Sequence, residues 1–196
     1  MNPFVVVGGV IGLLMFYPLC KSILDKGPNR SVQNPLTFLL WSTLDGINSG
    51  ASYMEGGNWL LSALYCLGGW FVVGSIIKAK DPFKWTRFET KVTTMAVFCI
   101  IIWVSTTNTL AALASIVALC IASVPQVRDT WDQPDKTPTL IYVGYTIAGF
   151  ISALGGKEFS IVEVGYPVSS FLICVIIVAL SVRKTASNLS STRHST

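Results

Sequence analysis

Seven apolar segments, separated by short polar ones, constrain the fold of this chain more than any other feature. A stretch of about 20 apolar residues is long enough to cross a lipid bilayer as a helix. Charged residues make up only 12% of the sequence, against about 25% in soluble domains. The sequence therefore predicts an all-α integral membrane protein with seven transmembrane helices in the lipid bilayer, at residues 4–20, 35–53, 59–77, 92–105, 109–127, 138–154 and 159–182.

Positive charge is distributed unequally between the segments that join these helices. Of the fourteen Lys and Arg residues, only Lys157 lies on the side that carries the N-terminus, and the other thirteen lie on the opposite side. Positively charged loops are retained in the cytoplasm. We therefore expect an outside N-terminus and a cytoplasmic C-terminus, in a plasma membrane or an inner membrane. This distribution also accounts for the net charge of +4, so we infer no nucleic-acid partner.

Residues of the first three predicted helices recur in the last three. The matching features are Pro18 and Pro125, Pro35 and Pro138, the turns 55–57 and 155–157, and Tyr65 and Tyr166. Two three-helix units can share one orientation in the membrane only if an additional helix joins them. The sequence therefore predicts two parallel three-helix bundles, residues 1–78 and 107–182. A basic connector and linker helix, 79–106, joins them, and a disordered cytoplasmic tail, 183–196, follows.

A proline lies near the cytoplasmic end of both the first and the fifth predicted helix. Pro18 is followed by Leu19, and Pro125 is followed by Gln126. Proline removes one backbone hydrogen bond from a helix and bends it. Within lipid this is tolerated where neighbouring helices or a cavity satisfy the freed carbonyl. A single proline here would indicate a helix end, whereas the matched pair favours hinges at Pro18, Pro125 and Gln126.

The order of three helices, a linker helix and three more helices, with Pro125-Gln126 at the end of the fifth, resembles the PQ-loop superfamily, which includes the SWEET-like transporters. The resemblance covers residues 4–182, and the first repeat departs from the motif with Pro18-Leu19. The superfamily also includes lysosomal exporters of cystine and cationic amino acids, and the KDEL receptors. The resemblance implies alternating access between the two bundles around a central pocket.

Polar residues recur every three or four positions along four of the predicted helices, which places them on one face of each helix. Inside lipid, such a face borders a cavity or forms hydrogen bonds between helices, and for the serines both interpretations stay open. A charge at mid-membrane depth costs about 2.5–3.5 kcal/mol on insertion scales. For Asp45 this cost favours the interpretation that the residue borders a cavity. The predicted substrate-binding residues are Trp41, Asp45, Asn48, Ser62, Tyr65, Tyr142, Tyr145, Ser152, Glu163 and Tyr166.

These features predict a transporter of a small polar solute, such as a sugar, an amino acid or a vitamin-like metabolite. Asp45 would bind a cationic substrate or exchange protons, because removal from water favours the protonated carboxyl group. The structural alternative is a protonated Asp45 that hydrogen-bonds to a tyrosine such as Tyr145. The sequence leaves open the identity of the solute, its coupling to protons and the assembly of copies into a homo-oligomer.

The sequence lacks the residues that several other functions require. A receptor or sorting protein of the KDEL-receptor type is the alternative function, but no Lys or Arg lies clearly at mid-membrane depth to bind a carboxylate ligand. A retinal photoreceptor needs a lysine in the last helix, and residues 159–182 contain none. The five cysteines and one histidine lack metal-site spacing. We therefore predict no metal, no other cofactor and no enzymatic activity.

Overall fold

The computed structural model describes residues 2–27, 30–31, 33–80, 85, 87–105 and 108–193. Within these ranges the chain forms seven α-helices and one short 3-10 helix, Pro134–Lys136, and no β-strand. The predicted all-α class is therefore confirmed. The α-helices are α1 Pro3–Leu24, α2 Pro35–Met54, α3 Leu60–Ala79, α4 Arg87–Ser105, α5 Asn108–Asp132, α6 Thr139–Leu154 and α7 Ile161–Arg193.

Local sequence explains why α1 and α2 begin where they do. Asn2 and Asn34 are the N-cap residues, and each is followed by a proline at the start of the helix. Their side-chain oxygens accept hydrogen bonds from the backbone N–H groups of Phe4 and Thr37, at 3.0 and 3.1 Å. The first backbone N–H groups of a helix have no partner within the helix, and the asparagine side chain accepts a hydrogen bond from one of them. Proline suits the first helical position because it has no backbone N–H that needs a partner.

Two helices extend further at their C-termini than the apolar segments that predicted them. α1 continues to Leu24 and α5 to Asp132, so Pro18 and Pro125 lie inside continuous helices. Hydropathy marks where a segment leaves an apolar environment, whereas a helix continues as long as its backbone hydrogen bonds do. The two prolines are therefore in the position where a bend moves the last turns of a helix relative to the rest.

Two helices extend beyond the apolar segments that predict them, into the basic connector and into the tail. The short apolar segment 92–105 predicts a helix that reaches back into the connector, and α4 does begin at Arg87. α7 continues to Arg193, so the segment 183–193, predicted to be disordered, is helical, and residues 194–196 lie outside the described residues. Few apolar residues support a helix in either segment, which is why hydropathy alone does not indicate one.

Six of the helices pack as a ring. α3 lies between α1 and α2, and α7 lies between α5 and α6. The ring is completed by two seams, one between α1 and α6 and one between α2 and α5. α4 packs on α5. The same packing pattern thus occurs in α1–α3 and in α5–α7.

The α1–α6 seam depends on glycine. A Cβ atom on Gly8 would lie 2.7 Å from the Ala148 carbonyl oxygen and 2.8 Å from the Ser152 backbone nitrogen. On α6, a Cβ atom on Gly144 would overlap the side chain of Met15. Small residues let the backbones of two helices approach closely, and this packing is common between helices in membranes.

The two ends of the ring differ. The "turn face" is the end that carries Asn2 and the α2–α3 and α6–α7 turns, 55–59 and 155–160. The "loop face" is the opposite end, which carries the C-terminus of α1, the start of α2 and the α5–α6 connection, 133–138. Lys157 belongs to the turn face, and the C-terminus of α3, at Ala79, belongs to the loop face.

Four helical segments are long and apolar enough to cross a membrane: Pro3–Leu24, Leu60–Ala79, Leu113–Asp132 and Glu163–Arg183. Helix α6 is apolar but shorter. Large apolar side chains cover the outside of the molecule, including Leu14, Phe71, Ile101 and Ile176, which are 48–59% exposed. Apolar surface of this extent is typical of contact with lipid, so the chain has the features of a membrane protein.

Candidate functional site

A cavity of about 40 Å³ lies where α1, α2, α3, α6 and α7 meet. A water molecule needs about 10–15 Å³ of such volume, so the cavity has room for a few waters. Pockets for drug-sized ligands measure about 300–1,000 Å³, so a solute would require the helices to move apart. The lining residues are Phe16, Phe38, Trp41, Asp45, Tyr65, Gly69, Tyr142, Tyr145, Ser170, Ile173 and Cys174.

Asp45 supplies the carboxyl group of this central cavity. The residue is 4% exposed, because α2 turns its polar face towards the interior of the ring. The Tyr166 hydroxyl on α7 donates a hydrogen bond to Asp45 Oδ1 at 2.7 Å. Among the described residues, no lysine or arginine lines the cavity. The carboxyl group is therefore held by a neutral donor and is not paired with a fixed positive charge.

Two tyrosines connect the halves of the ring at this depth. Tyr65 on α3 donates a hydrogen bond to the backbone carbonyl of Tyr145 on α6, at 3.4 Å. Tyr166 on α7 donates to Asp45 on α2. Each tyrosine lies on the helix that packs between the other two of its half, α3 or α7. Its hydroxyl reaches α6 or α2, which is the second helix in sequence of the opposite half. The sequence pairs Tyr65 with Tyr166, and the structure gives the two side chains matching connections across the ring.

Aromatic rings form one wall of the central cavity. The Tyr145 ring lies 5.0 Å from Phe16, 5.6 Å from Tyr65 and 5.9 Å from Tyr142, centroid to centroid. The Tyr145 hydroxyl is buried and has no hydrogen-bond partner. Buried polar groups are nearly always paired in folded proteins. This hydroxyl is therefore available to water or to a bound solute.

Contacts between the halves also lie on the loop-face side of the cavity. The Tyr142 hydroxyl on α6 donates to Gln33 Oε1, just before α2, at 2.7 Å. Trp41 Nε1 donates to Ser123 Oγ at 3.0 Å, which connects α2 to α5. Both Trp41 and Tyr142 line the cavity, so the side chains that would contact a solute also hold this end together.

Gln126 connects α5 to the start of α2. Its Oε1 accepts a hydrogen bond from the Asn34 backbone N–H at 3.1 Å. One turn further along α5, Asp129 Oδ2 accepts from Asn34 Nδ2 at 2.9 Å. Leu19 stands at the matching place in α1, is fully buried and has no side-chain hydrogen-bonding group. The loop-face end of the α2–α5 seam therefore has polar connections that Leu19 cannot supply at the α1–α6 seam.

The turn face is closed by contacts between the α2–α3 and α6–α7 turns. Lys157 Nζ donates to the Gly56 carbonyl at 3.0 Å, and Asn58 Nδ2 donates to the Ser152 carbonyl at 3.3 Å. A second cavity of about 260 Å³ lies beside these contacts. This "outer cavity" is lined by Asn2, Val5, Tyr53, Gly56, Gly57, Asn58, Trp59, Leu60, Gly155, Lys157 and Glu163.

The structure brings six of the ten predicted substrate-binding residues together. Trp41, Asp45, Tyr65, Tyr142 and Tyr145 line the central cavity, and Tyr166 contacts it through Asp45. The structural alternative for Asp45, a hydrogen bond to a tyrosine such as Tyr145, agrees with the structure in the type of partner, but the tyrosine is Tyr166 and not Tyr145. The Tyr145 hydroxyl has no hydrogen-bond partner in the structure.

The other four predicted residues lie away from the central cavity. Asn48 Oδ1 accepts from Ser115 Oγ at 3.3 Å between α2 and α5, and Ser62 Oγ donates to the Trp59 carbonyl within α3 at 2.9 Å. Ser152 accepts the hydrogen bonds of Asn58 near the turn face. Glu163 lines the outer cavity. Their side chains have polar partners between or within helices, which is the other role that polar faces have in membranes.

Four apolar lining residues were not predicted: Phe16, Phe38, Ile173 and Cys174. A signal for two of them was present, because Ile173 and Cys174 continue the face of α7 that carries Tyr166 and Ser170 at helical spacing. No comparable signal distinguishes Phe16 or Phe38 from apolar residues that face lipid.

No family model matches the chain, and comparisons with the curated proteins and with the solved structures find no match. The central cavity and the contacts between the halves around it are the features that indicate a function. Chemically, this cavity offers one carboxyl group, one hydroxyl without a partner and an aromatic wall. These groups suit the binding of a small polar molecule.

Proposed function

We propose that this protein is a membrane transporter that moves a small polar solute by alternating access. The observation that carries the proposal is the central cavity, which is lined by helices of both halves and contains the Asp45 carboxyl group. Hydrogen bonds join the two halves on both sides of the cavity, Tyr142 to Gln33 towards the loop face and Lys157 to Gly56 at the turn face. Contacts of this kind on each side of a binding site are what alternating access would break and form in turn.

We infer that all seven helices cross the membrane, with the turn face outside and the loop face in the cytoplasm. Helix α2 is not among the four segments that are long and apolar enough to cross a membrane by composition, but its polar residues Thr37, Asp45 and Asn48 are buried inside the ring. Lipid therefore meets the apolar side chains of α2, such as Leu39. Among the described residues of the turn face, Lys157 is the one basic residue. Basic residues are enriched on the cytoplasmic side of membrane proteins, so their scarcity here supports an outside position for the turn face.

The two halves, α1–α3 and α5–α7, would move as the two bodies of the transporter. Parallel repeats of this kind occur in transporters, with the binding site at the interface of the repeats. Pro18 and Pro125 lie inside α1 and α5, and each of these helices forms a seam with the other half. Bending at the prolines would open the loop face without separating the whole seam. Gln126 would keep α5 attached to α2 during that motion.

Asp45 would be the residue that binds the solute or exchanges the coupling proton. Its hydrogen-bond donor is the neutral hydroxyl of Tyr166, so the carboxyl group can bind a cation or a proton without first breaking an ion pair. Because Tyr166 belongs to the opposite half, a change in the protonation or ligation of Asp45 would alter a contact between the two bodies.

Uptake into proteoliposomes tests this proposal. The purified protein should accumulate at least one solute from a panel of sugars, amino acids and vitamins. Asp45→Asn keeps the size and the hydrogen-bond acceptor but cannot release a proton. If Asp45 carries protons, uptake driven by a pH gradient should collapse while exchange at equal pH survives. If Asp45 binds a cationic solute directly, binding itself should fall.

Glu55→Gln is the matched control, because it makes the same chemical change in an exposed turn residue. Uptake by this variant should equal that of the unmodified protein. Wild-type affinity and wild-type uptake by a well-folded Asp45→Asn protein would exclude both roles of Asp45. Absence of uptake for every solute of the panel would contradict the transport function.

A further inference from the structure

The outer cavity contains two opposite charges that are not paired with each other. The Lys157 ammonium contacts the Gly56 carbonyl, whereas the hydrogen bond that the Glu163 carboxylate accepts within the described residues is a long one, 3.4 Å, from the Lys157 backbone N–H. An ammonium group has three N–H donors, so two donors of Lys157 remain after the contact with Gly56. A charge-assisted hydrogen bond is roughly twice as strong as a neutral one, and in the part of the chain that the structure describes neither group has an oppositely charged partner.

A third polar group of the same cavity is also without a partner. Asn58 is 5% exposed and lines the outer cavity. Its Nδ2 donates to Ser152, but its Oδ1 has no hydrogen-bond donor. Buried acceptors are nearly always paired with a donor in folded proteins. A ligand with N–H donors would supply the missing one.

Two aromatic residues are also part of the wall of the outer cavity. The rings of Tyr53 and Trp59 pack edge to face, with their centroids 5.4 Å apart. The volume of about 260 Å³ is just below the range of about 300–1,000 Å³ for drug-sized ligands, which suits a smaller metabolite. A ligand here would place an apolar group against the rings and its charged groups against Lys157, Glu163 and Asn58.

We propose that the outer cavity is a capture site for a zwitterionic α-amino acid. The ligand carboxylate would bind the Lys157 ammonium, and the ligand ammonium would donate to the Glu163 carboxylate and to Asn58 Oδ1. An apolar side chain would contact Tyr53 and Trp59. A sugar would leave both charges unneutralised, and a simple cation or anion would neutralise only one of them.

The site also has a place in the transport cycle, a point that rests on the proposed transport function. Lys157 connects the two turns that close the turn face. A carboxylate bound to Lys157 would compete with the Gly56 carbonyl, because an ionised acceptor binds an ammonium more strongly than a neutral one. Capture of the amino acid would therefore weaken the contact that closes the path to the central cavity.

The test uses the full chain in lipid nanodiscs and three probes of the same shape. Leucine carries both charges, leucinamide lacks the carboxylate and 4-methylpentanoate lacks the ammonium. Leucine should bind at least tenfold more tightly than either analogue. Lys157→Gln should abolish the preference for leucine over leucinamide, and Glu163→Gln should abolish the preference over 4-methylpentanoate. Glu158→Gln, an exposed residue that does not line the cavity, should leave both preferences intact.

Three results would overturn the capture site. These are equal binding of the three probes, preferences that survive in the Lys157 and Glu163 variants, and no detectable binding of any of the twenty standard α-amino acids. The probe comparison uses the unmodified protein, so it does not depend on the folding of a variant.

A comparison of binding with uptake separates this inference from the transport function. If leucine binds with these preferences but no solute is taken up, the transport function is wrong and the capture site stands. If amino acids are taken up and the Lys157 and Glu163 variants behave like the unmodified protein, the capture site is wrong and the transport function stands.

Discussion

The hydrogen bond between Tyr166 and Asp45 can be measured by removing a single oxygen atom. Tyr166→Phe keeps the ring and deletes the hydroxyl that donates to Asp45 at 2.7 Å. Tyr145→Phe makes the same change at a buried hydroxyl that has no partner. The two tyrosines are both less than a tenth exposed. They therefore form a matched pair in which only the hydrogen bond differs.

The expected difference follows from the environment of the two hydroxyls. Loss of one partner of a buried hydrogen bond costs about 1–3 kcal/mol in soluble proteins. Hydrogen bonds between transmembrane helices average roughly 0.6 kcal/mol and reach about 1.7 kcal/mol. Because Tyr166 is the side-chain donor that the structure gives Asp45, Tyr166→Phe should lower the free energy of unfolding by about 1–1.7 kcal/mol. Tyr145→Phe should change it by less than about 0.5 kcal/mol, since no hydrogen bond is lost.

The assay is reversible unfolding in mixed micelles of increasing denaturing detergent, followed by circular dichroism. A double-mutant cycle of Tyr166→Phe with Asp45→Ala isolates the pair, and its coupling energy should be about 1 kcal/mol. Equal destabilisation by the two tyrosine variants, or a coupling energy below about 0.3 kcal/mol, would refute the assignment of Tyr166 as the residue that holds Asp45.

Three further predictions address topology, hinge motion and packing. Cysteines placed at Gly57 and Ser187 in a cysteine-free background should react with an impermeant maleimide from opposite sides of the membrane, and labelling from one side would remove the seven-span arrangement. Pro125→Ala should slow solute uptake more than it lowers the folded yield. Unchanged uptake would show that Pro125 is not a hinge and has only a structural role. Gly8→Ala should destabilise the fold by about 1–3 kcal/mol, because a Cβ atom there meets the backbone of α6. Gly50→Ala, where a Cβ atom meets no atom within 4 Å, should instead stabilise α2 by about 0.5–1 kcal/mol, and thermal unfolding in detergent would detect both signs.

The sequence by itself determined where the helices lie and which faces are polar. Asn-Pro pairs begin α1 and α2 through contacts within four residues, so nearby residues suffice to predict them. The polar face of α2, with Trp41 and Asp45, follows from a period of 3.6 residues, which is a property of one helix. The correspondence of Tyr65 with Tyr166 is also visible in the sequence, because matching positions in two repeats carry the same residue.

Only the tertiary structure decided which partners these faces meet. Periodicity gives the direction of a side chain around its own helix, but not the rotation, depth or tilt of that helix relative to its neighbours. Asn48 shares a face with Asp45 and yet bonds to Ser115 on α5, because the α2–α5 seam runs along α2 beside the cavity and α5 is within reach of the same face. Lys157 and Gly56 are 101 residues apart in the chain, and their contact exists because two separate turns reach the same end of the ring. Long-range contacts of this kind depend on the packing of all the helices at once, so no local pattern in the sequence contains them.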